Sequence, residues 1–204
     1  MSDAQDRGWG PGWPVDRTAD MVGLKVGNSE FPAGVHGRAA ELITIMLEVS
    51  EDERWIVLHP GWSWGYANRP IKLPDGGYTH TPSNHSWGLA VDINAPENPF
   101  GGTSHRIPEV MGDFWESYGF RWGGHYSGTR DWMHMEYMGT PAQCVKHTEK
   151  ARELMLTVEQ KVDLEWMNGF HAFFKGERMP RKEGPRKTGW KHAERTVNEP
   201  KAPK

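Results

Sequence analysis

The stretch Ser83-Asn84-His85-Ser86-Trp87-Gly88-Leu89-Ala90-Val91-Asp92 joins a polar turn to an apolar run. The alternating pattern over residues 89–93 predicts a strand that carries Asp92, and His85 lies in the turn before it. Glycine at position 88 allows the chain to bend between the turn and the strand. We therefore expect the side chains of His85 and Asp92 to converge on one point.

A second polar cluster, Asp131-Trp132-Met133-His134-Met135-Glu136, leads into a short strand predicted over residues 133–138, which carries His134. Two imidazoles and a carboxylate are typical ligands of catalytic zinc, and three protein ligands leave the fourth tetrahedral position for a water. The cation lowers the pKa of that water toward neutrality and makes it a nucleophile. The pattern predicts a zinc site at His85, Asp92 and His134.

Each of these residues taken singly has a simpler interpretation. A histidine in a loop is more often a surface or hydrogen-bonding residue than a metal ligand. An aspartate close to Asn94 and Pro96 can cap a turn instead of binding a cation. The zinc prediction therefore depends on the joint pattern of the two clusters.

Periodicity and turn residues predict the other elements. An apolar stripe at helical spacing predicts a helix over residues 35–49, and Pro108 and Pro141 each open a further helix. The β-branched run at residues 55–59 predicts a buried strand, and residues 120–122 predict another. The elements predict an α+β fold, with a small, largely antiparallel sheet, flanking helices and a central zinc site.

The chain divides by composition into a catalytic domain and an appendage. Residues 1–156 form the predicted domain, of which residues 1–34 have no sustained period and are interpreted as an irregular lead-in. Residues 157–174 predict an appended, capped helix. Residues 175–204 contain 10 Lys and Arg, 4 Asp and Glu and little apolar surface, so we predict a basic, flexible tail.

Composition excludes several classes of protein. The net charge of −3 gives no nucleic-acid signature, and the single Cys144 excludes an internal disulfide. Residues 1–12 lack the apolar segment of a signal peptide, so we expect synthesis in the cytoplasm without one. No stretch of the sequence is long and apolar enough for a membrane span. The Gly- and Pro-rich stretch at residues 60–86 is long for a loop, which favours a substrate-facing role.

The motifs resemble those of the zinc peptidases that include D-alanyl-D-alanine carboxypeptidases, vancomycin-resistance dipeptidases and bacteriophage L-alanyl-D-glutamate endolysins. The family motif SxHxxGxAxD occurs at residues 83–92, and DWMH at residues 131–134 resembles the second motif. The resemblance extends to FPAGVH at residues 31–36, GYANRPIK at residues 65–72 and DINAPENP at residues 92–99. It covers roughly residues 20–156 and leaves out the tail.

The resemblance implies zinc bound by His85, Asp92 and His134, with Asp131 as the general base, although many relatives have Glu in the place of Asp131. Glu136 is the rival base, and we favour a role for it in orienting an imidazole. Arg69 corresponds to an arginine that relatives present to the substrate, where it stabilises an oxyanion or holds a carboxylate. Ser83 either binds substrate or fixes the His85 loop, and a surface role for Arg69 stays open.

The resemblance implies a peptidase that acts on the peptide stem of bacterial peptidoglycan. The phage endolysin branch is the more similar one, which favours cleavage between L-Ala and D-Glu; release of a terminal D-Ala is the second option. The rival class is a phage virion or tail protein that uses the domain for docking to the cell wall, with tail proteins as partners of residues 157–204. We expect synthesis in the host cytoplasm and action on the cell wall, or carriage in a phage virion tail.

Overall fold

The computed structural model describes residues 3–156. The predictions of an appended helix at residues 157–174 and a basic tail at residues 175–204 lie outside the described residues. In chain order the elements are β1 (Met21–Val26), β2 (Ser29–His36), α1 (Gly37–Asp52), β3 (Pro70–Lys72), β4 (Tyr78–Pro82), β5 (Ala90–Asp92), α2 (Glu109–Glu116), β6 (Phe120–Trp122), β7 (His134–Tyr137) and α3 (Pro141–Arg152).

Three short antiparallel strands form the sheet at the centre of the domain. β7 lies between β5 and β6, and the domain also contains the three helices α1, α2 and α3. Helix α1 packs against α3 and against β1, while α2 packs against β6. The core between them is rich in large aromatic side chains, which include the fully buried Trp87, Trp115, Trp122 and Tyr137. The α+β class with a small antiparallel sheet is confirmed.

Most predicted elements occur with small changes at their ends. Helix α1 begins at Gly37 after His36, whose ring accepts a hydrogen bond from the Arg38 amide. Helix α3 begins at Pro141, and Thr140 and Gln143 form a capping box that satisfies the first free amides of the helix. Among residues 3–156, no helix has the length and apolar character required to cross a membrane.

Residues 21–36 form a β-hairpin, so the prediction of an irregular lead-in over residues 1–34 is wrong there. A two-residue turn, Gly27 and Asn28, joins β1 to β2, with Gly27 at a φ of 54°. Gly-Asn is a recognised hairpin turn, but a register shift between Val22 and Leu24 interrupts the alternation of apolar residues. This interruption hides the strand period in the sequence.

Residues 55–59 are not a strand, contrary to the prediction. The Trp55 and Ile56 amides donate to the Ser50 carbonyl at the end of α1, and side chains bond most of the other backbone groups in place of a neighbouring strand. Asn94 donates to the Val57 carbonyl at 2.7 Å and accepts from the His59 amide at 3.1 Å, and the Leu58 amide donates to Glu51 at 2.9 Å. Ile56 and Leu58 therefore pack into the core without a strand ladder, whereas Val57 is exposed.

The predicted loop at residues 60–86 contains a second hairpin and a short helical turn. Strands β3 and β4 pair antiparallel within it. The one-turn 3₁₀ helix Asn84–Trp87 follows, and we call it the His85 turn. The substrate-facing role predicted for this stretch is consistent with the position of the hairpin, because Ile71, Lys72, Tyr78 and Thr81 line the cleft described below.

Candidate metal centre and catalytic cleft

Strand pairing in the central sheet brings Asp92 and His134 side by side. Asp92 on β5 is the direct partner of His134 on β7 in the antiparallel register. The backbone of Asp92 also exchanges two hydrogen bonds of 2.9 Å with Trp64, which fixes the end of β5. Both side chains are buried, and they share one face of the sheet because directly paired residues point the same way.

The His85 turn places the third side chain above this pair. Ser83 caps the turn, since its hydroxyl accepts a hydrogen bond from the His85 amide at 3.3 Å. Gly88 ends the turn in the left-handed region, at a φ of 65°. A Cβ at this position would lie 2.5 Å from the His36 nitrogen, so the close approach of β2 also requires glycine.

The three candidate ligand atoms form a compact triangle. His85 Nε2 lies 3.2 Å from Asp92 Oδ1 and 3.1 Å from His134 Nδ1, and the last two atoms are 3.0 Å apart. Zinc bonds of about 2.0–2.1 Å in a tetrahedron require ligand atoms about 3.3 Å apart. The donor set and its spacing therefore fit a zinc ion with small adjustments.

The outer atoms of both imidazoles are held in a way that suits metal binding. His85 Nδ1 lies 2.6 Å from the Gly65 carbonyl, which can only accept, so the proton resides on Nδ1 and leaves Nε2 free. His134 Nε2 lies 3.6 Å from Glu136 Oε2, which leaves Nδ1 directed at the other two ligands. Such outer partners orient ligating histidines and raise their basicity.

The charges at the site stabilise one another. Burial disfavours ionisation of Asp92, but the imidazoles of His85 and His134 outweigh it and lower the pKa of this carboxyl. Burial opposes the charge on His134 as well, yet Asp92 and Glu136 raise the pKa of its imidazole well above the ordinary value. A cation that binds here would displace a proton from His134.

Asp131 presents a buried carboxylate oxygen to this cluster. Its Oδ1 atom has no hydrogen-bond partner among residues 3–156, which is rare for a buried polar atom. Burial raises the pKa of Asp131 to about 6, against the opposing effect of His134. The Asp131 carbonyl accepts from the His134 amide at 3.1 Å, so the carboxyl is held beside a candidate ligand. Its oxygen is free to meet a water or a substrate atom.

Glu136, the rival base, is fully engaged. Asn84, Arg121 and Tyr126 all donate hydrogen bonds to its carboxylate, the first of them to the oxygen that faces His134. Burial opposes ionisation, but His134 and Arg121 lower the pKa of Glu136 overall. This environment fits the predicted role of orienting His134 and leaves Asp131 as the better placed base.

A cleft of about 550 Å³ opens over the cluster and includes all the predicted site residues. Arg69 lines it, half-buried, and its backbone carbonyl accepts from the Ser83 amide at 3.2 Å. Burial raises the pKa of Asp131, and the charge of Arg69 is among the effects that oppose this rise. Ser83 caps the His85 turn and also lines the cleft; substrate binding by Ser83 stays a prediction.

Several residues of the site were not predicted from the sequence. Arg7, Lys72 and Arg121 add positive charge to the cleft, and the Gly65 carbonyl orients His85. Tyr126 also lines the cleft and donates to Glu136. Gly65 is the first residue of GYANRPIK, a stretch in which the family resemblance was already recognised. Arg7 lies 77 residues from its partner Asn84 and belongs to no recognised motif.

A His, Asp and His cluster beside a buried carboxyl, at the base of a cleft in an α+β domain, has the donor set of a catalytic metal site. Residues 77–137 match the family model described as D-alanyl-D-alanine carboxypeptidase, whose members are zinc-dependent peptidases. The match contains His85, Asp92, Asp131 and His134, and it confirms the resemblance over this stretch. Searches of curated proteins and of solved structures found no significant match.

Proposed function

We propose that this chain is a zinc-dependent peptidase that hydrolyses the peptide stem of bacterial peptidoglycan. The observation that carries the proposal is the triangle of His85, Asp92 and His134 atoms, 3.0–3.2 Å apart, beside the buried oxygen of Asp131 that has no partner within residues 3–156. Three ligands leave one coordination position open, which a catalytic zinc site needs and a purely structural site does not have.

Each residue has a separate task in the proposed reaction. Zinc, when bound, would polarise a water and the scissile carbonyl. Asp131 accepts the proton of the attacking water and later passes it to the leaving amine. Arg69 offers a fixed positive charge to the oxygen that becomes negative, or to a carboxylate of the substrate. Ser83 keeps the His85 turn in place and lines the substrate path.

We propose cleavage between L-Ala and D-Glu as the specific reaction. It is supported by the resemblance of NHSWGLAVDINAPENP and DWMH to the phage endolysin motifs. The description of the matching family favours the alternative, removal of a terminal D-Ala. Both reactions use the same metal machinery and differ in the shape of the pocket around it.

A test of the reaction is digestion of purified peptidoglycan with and without a chelator, with new termini identified by mass spectrometry. A free D-Glu amine that disappears with chelator supports the endopeptidase. Released D-Ala supports the carboxypeptidase. If no chelator-sensitive product forms, the rival proposal of a phage tail protein that only docks to the wall is favoured.

The metal ligands are tested by His85→Ala, Asp92→Ala and His134→Ala. Each variant should lose zinc and activity together, because each lacks one ligand atom. His80→Ala is the matched control, since His80 is exposed and does not line the cleft. Full zinc occupancy in any of the three variants would remove that residue from the site.

The place of action is a further proposal. An enzyme of this type reaches peptidoglycan either as an endolysin released to the cell wall or as part of a phage virion tail. The basic composition of residues 175–204 supports attachment to an anionic surface or to tail proteins. Detection of the chain in purified virions by mass spectrometry would favour the tail-associated form, and detection only in lysates would favour the endolysin.

A further inference from the structure

The N-terminal segment, residues 3–17, lies against the His85 turn. It contacts the residue before His85 and both residues after it, so the turn is held from one side along its whole length. The contacts are hydrogen bonds from Arg7 Nη2 to Asn84 Oδ1 at 3.1 Å, from the Trp13 amide to Ser86 Oγ at 3.2 Å, and from Trp87 Nε1 to the Gly10 carbonyl at 2.8 Å.

The segment is firmly seated on the domain. Ala4 and Trp9 are buried, and Trp9 Nε1 donates to the Gly139 carbonyl at 2.8 Å, just beyond the end of β7. The ring of Trp9 also meets the edge of His36, with the ring centroids 5.0 Å apart. Residues 3–17 lie outside the stretch that matches the family model, residues 77–137.

Arg7 determines which way the Asn84 amide points. Arg7 donates to Asn84 Oδ1, and Asn84 Nδ2 donates to the Glu136 oxygen that faces His134. If the amide were turned over, its NH₂ group would face the guanidinium and its oxygen would face the carboxylate. Both contacts would then be repulsive, so the guanidinium locks the orientation that supports Glu136.

We propose that Arg7 is a positioning residue for the metal centre and acts through Asn84 and Glu136 on His134. The N-terminal segment thereby forms a working part of the catalytic site. This inference rests on the proposed function, because it requires a metal at His85, Asp92 and His134. Arg7 also lines the cleft, so its guanidinium lies at the substrate path as well as behind the metal ligands.

The test measures metal binding directly and does not depend on activity. Zinc affinity is obtained by competition with a chromophoric chelator, and the visible spectrum of the Co²⁺-substituted protein reports ligand geometry. Arg7→Ala should bind zinc about tenfold more weakly, at the low end of the range for partners of metal ligands. Its Co²⁺ spectrum should shift as well. Gln5→Ala, an exposed change in the same helical turn, should match the wild type in both measurements.

A double-mutant cycle shows whether Arg7 acts through Asn84. If it does, Arg7→Ala combined with Asn84→Ala should bind zinc no more weakly than Asn84→Ala alone. Arg7→Lys keeps the charge and one donor and should give an intermediate loss. If Arg7→Ala does not fold, Arg7→Lys and Asn84→Ala carry the same test.

Two results would overturn the inference while the proposed function stands. One is an Arg7→Ala protein with the zinc affinity and Co²⁺ spectrum of Gln5→Ala. The other is an additive loss in the double variant, which would mean that Arg7 does not act through Asn84. A wild-type chain that binds no zinc would instead contradict the proposed function itself.

Discussion

Asp131 and Glu136 are the two carboxylates beside the candidate metal ligands, and their surroundings separate their roles. Three side chains donate to Glu136, and the pKa of its carboxyl is lowered, so it stays charged and fixed. Asp131 has a buried oxygen without a partner among residues 3–156, and burial raises the pKa of its carboxyl to about 6. A general base needs a free lone pair and a pKa near the working pH, which only Asp131 offers.

Asp131→Asn should retain zinc and lose turnover. The amide is nearly isosteric but accepts no proton near neutral pH, so the rate should fall at least roughly a hundredfold. Elemental analysis should find about one zinc per chain, as in the wild type. Glu136→Gln is the comparison, and it should weaken zinc binding, because the amide is a poorer partner for His134. Near-normal turnover in Asp131→Asn, with zinc retained and turnover lost in Glu136→Gln, would reverse the two roles.

At the scale of single residues, the sequence predicted what was local and missed what was distant. His85 and Asp92 lie within one turn and one strand, so their spacing was sufficient to predict that they meet. The partners of Glu136 come from three separate parts of the chain: Asn84, Arg121 and Tyr126. No period or motif links these positions, because they meet only when the strands pair.

The elements of the site depend on one turn between β4 and β5. Gly88 ends the His85 turn at a φ of 65°, and the backbone of β2 approaches it so closely that the Gly88 carbonyl accepts from the His36 amide at 2.9 Å. The turn, the start of β5 and the end of β2 are therefore coupled at this glycine. Its place in the sequence motif follows from backbone geometry as well as from the bend predicted for it.

Gly88→Ala should destabilise the domain and disturb the metal centre. The left-handed conformation costs a residue with a Cβ about 1–2 kcal/mol, and displacement of Met21 or of the β2 backbone adds to this. Unfolding in urea should occur at lower denaturant concentration, and zinc affinity should fall with it. Gly128→Ala is the control, since a Cβ there meets nothing within 4 Å. Equal midpoints for the two variants would contradict the role of Gly88.

Helix α2 is joined to the turn after β6 by a histidine between two carboxylates. His125 lies 2.9 Å from Glu109 at the start of α2 and 3.1 Å from Glu116 at its end. The hydrogen bond with Glu109 raises the pKa of His125 most, burial opposes the rise, and Glu116 adds to it. Protonated His125 therefore binds α2 to the sheet.

His125→Gln should lower stability only in acid to neutral solution. The pKa of His125 in the folded protein is above the unfolded value of about 6.5. The stabilisation by protonated His125 is therefore complete below a pH of about 6.5 and is lost as the pH rises through the folded-state pKa. Urea midpoints of wild type and variant should differ at a pH of about 6 and converge at a pH of about 9. His80→Gln, an exposed change, should show no such trend. A difference between the urea midpoints of wild type and His125→Gln that grows with pH would contradict the prediction.

The elements themselves were predicted best where one physical signal dominated. The apolar stripe predicted α1 and Pro141 predicted the start of α3, and both helices begin within two residues of the expected position. Residues 55–59 had the composition of a strand, but Asn94 takes the backbone bonds that a neighbouring strand would have made. Composition does not show which partner a backbone group will find.

For the whole molecule, charge is divided unevenly along the chain. Residues 1–156 carry 13 Lys and Arg against 20 Asp and Glu, whereas residues 157–204 carry 11 against 7. The family match lies entirely within the acidic part. An acidic body would be repelled by anionic cell-wall polymers, so a basic appendage is a physically reasonable means of attachment.

Deletion of residues 175–204 should therefore separate attachment from catalysis. The shortened chain should hydrolyse a soluble muropeptide at the wild-type rate, because none of the candidate site residues lies in the deleted stretch. Its binding to purified cell walls, measured by co-sedimentation, should weaken, and the wild-type binding should decline as salt is raised. A full-length control with the Lys and Arg residues of 175–204 changed to Gln should bind as weakly as the deletion. Loss of turnover on the small substrate would mean that the tail belongs to the catalytic fold and that the predicted boundary at residue 156 is wrong.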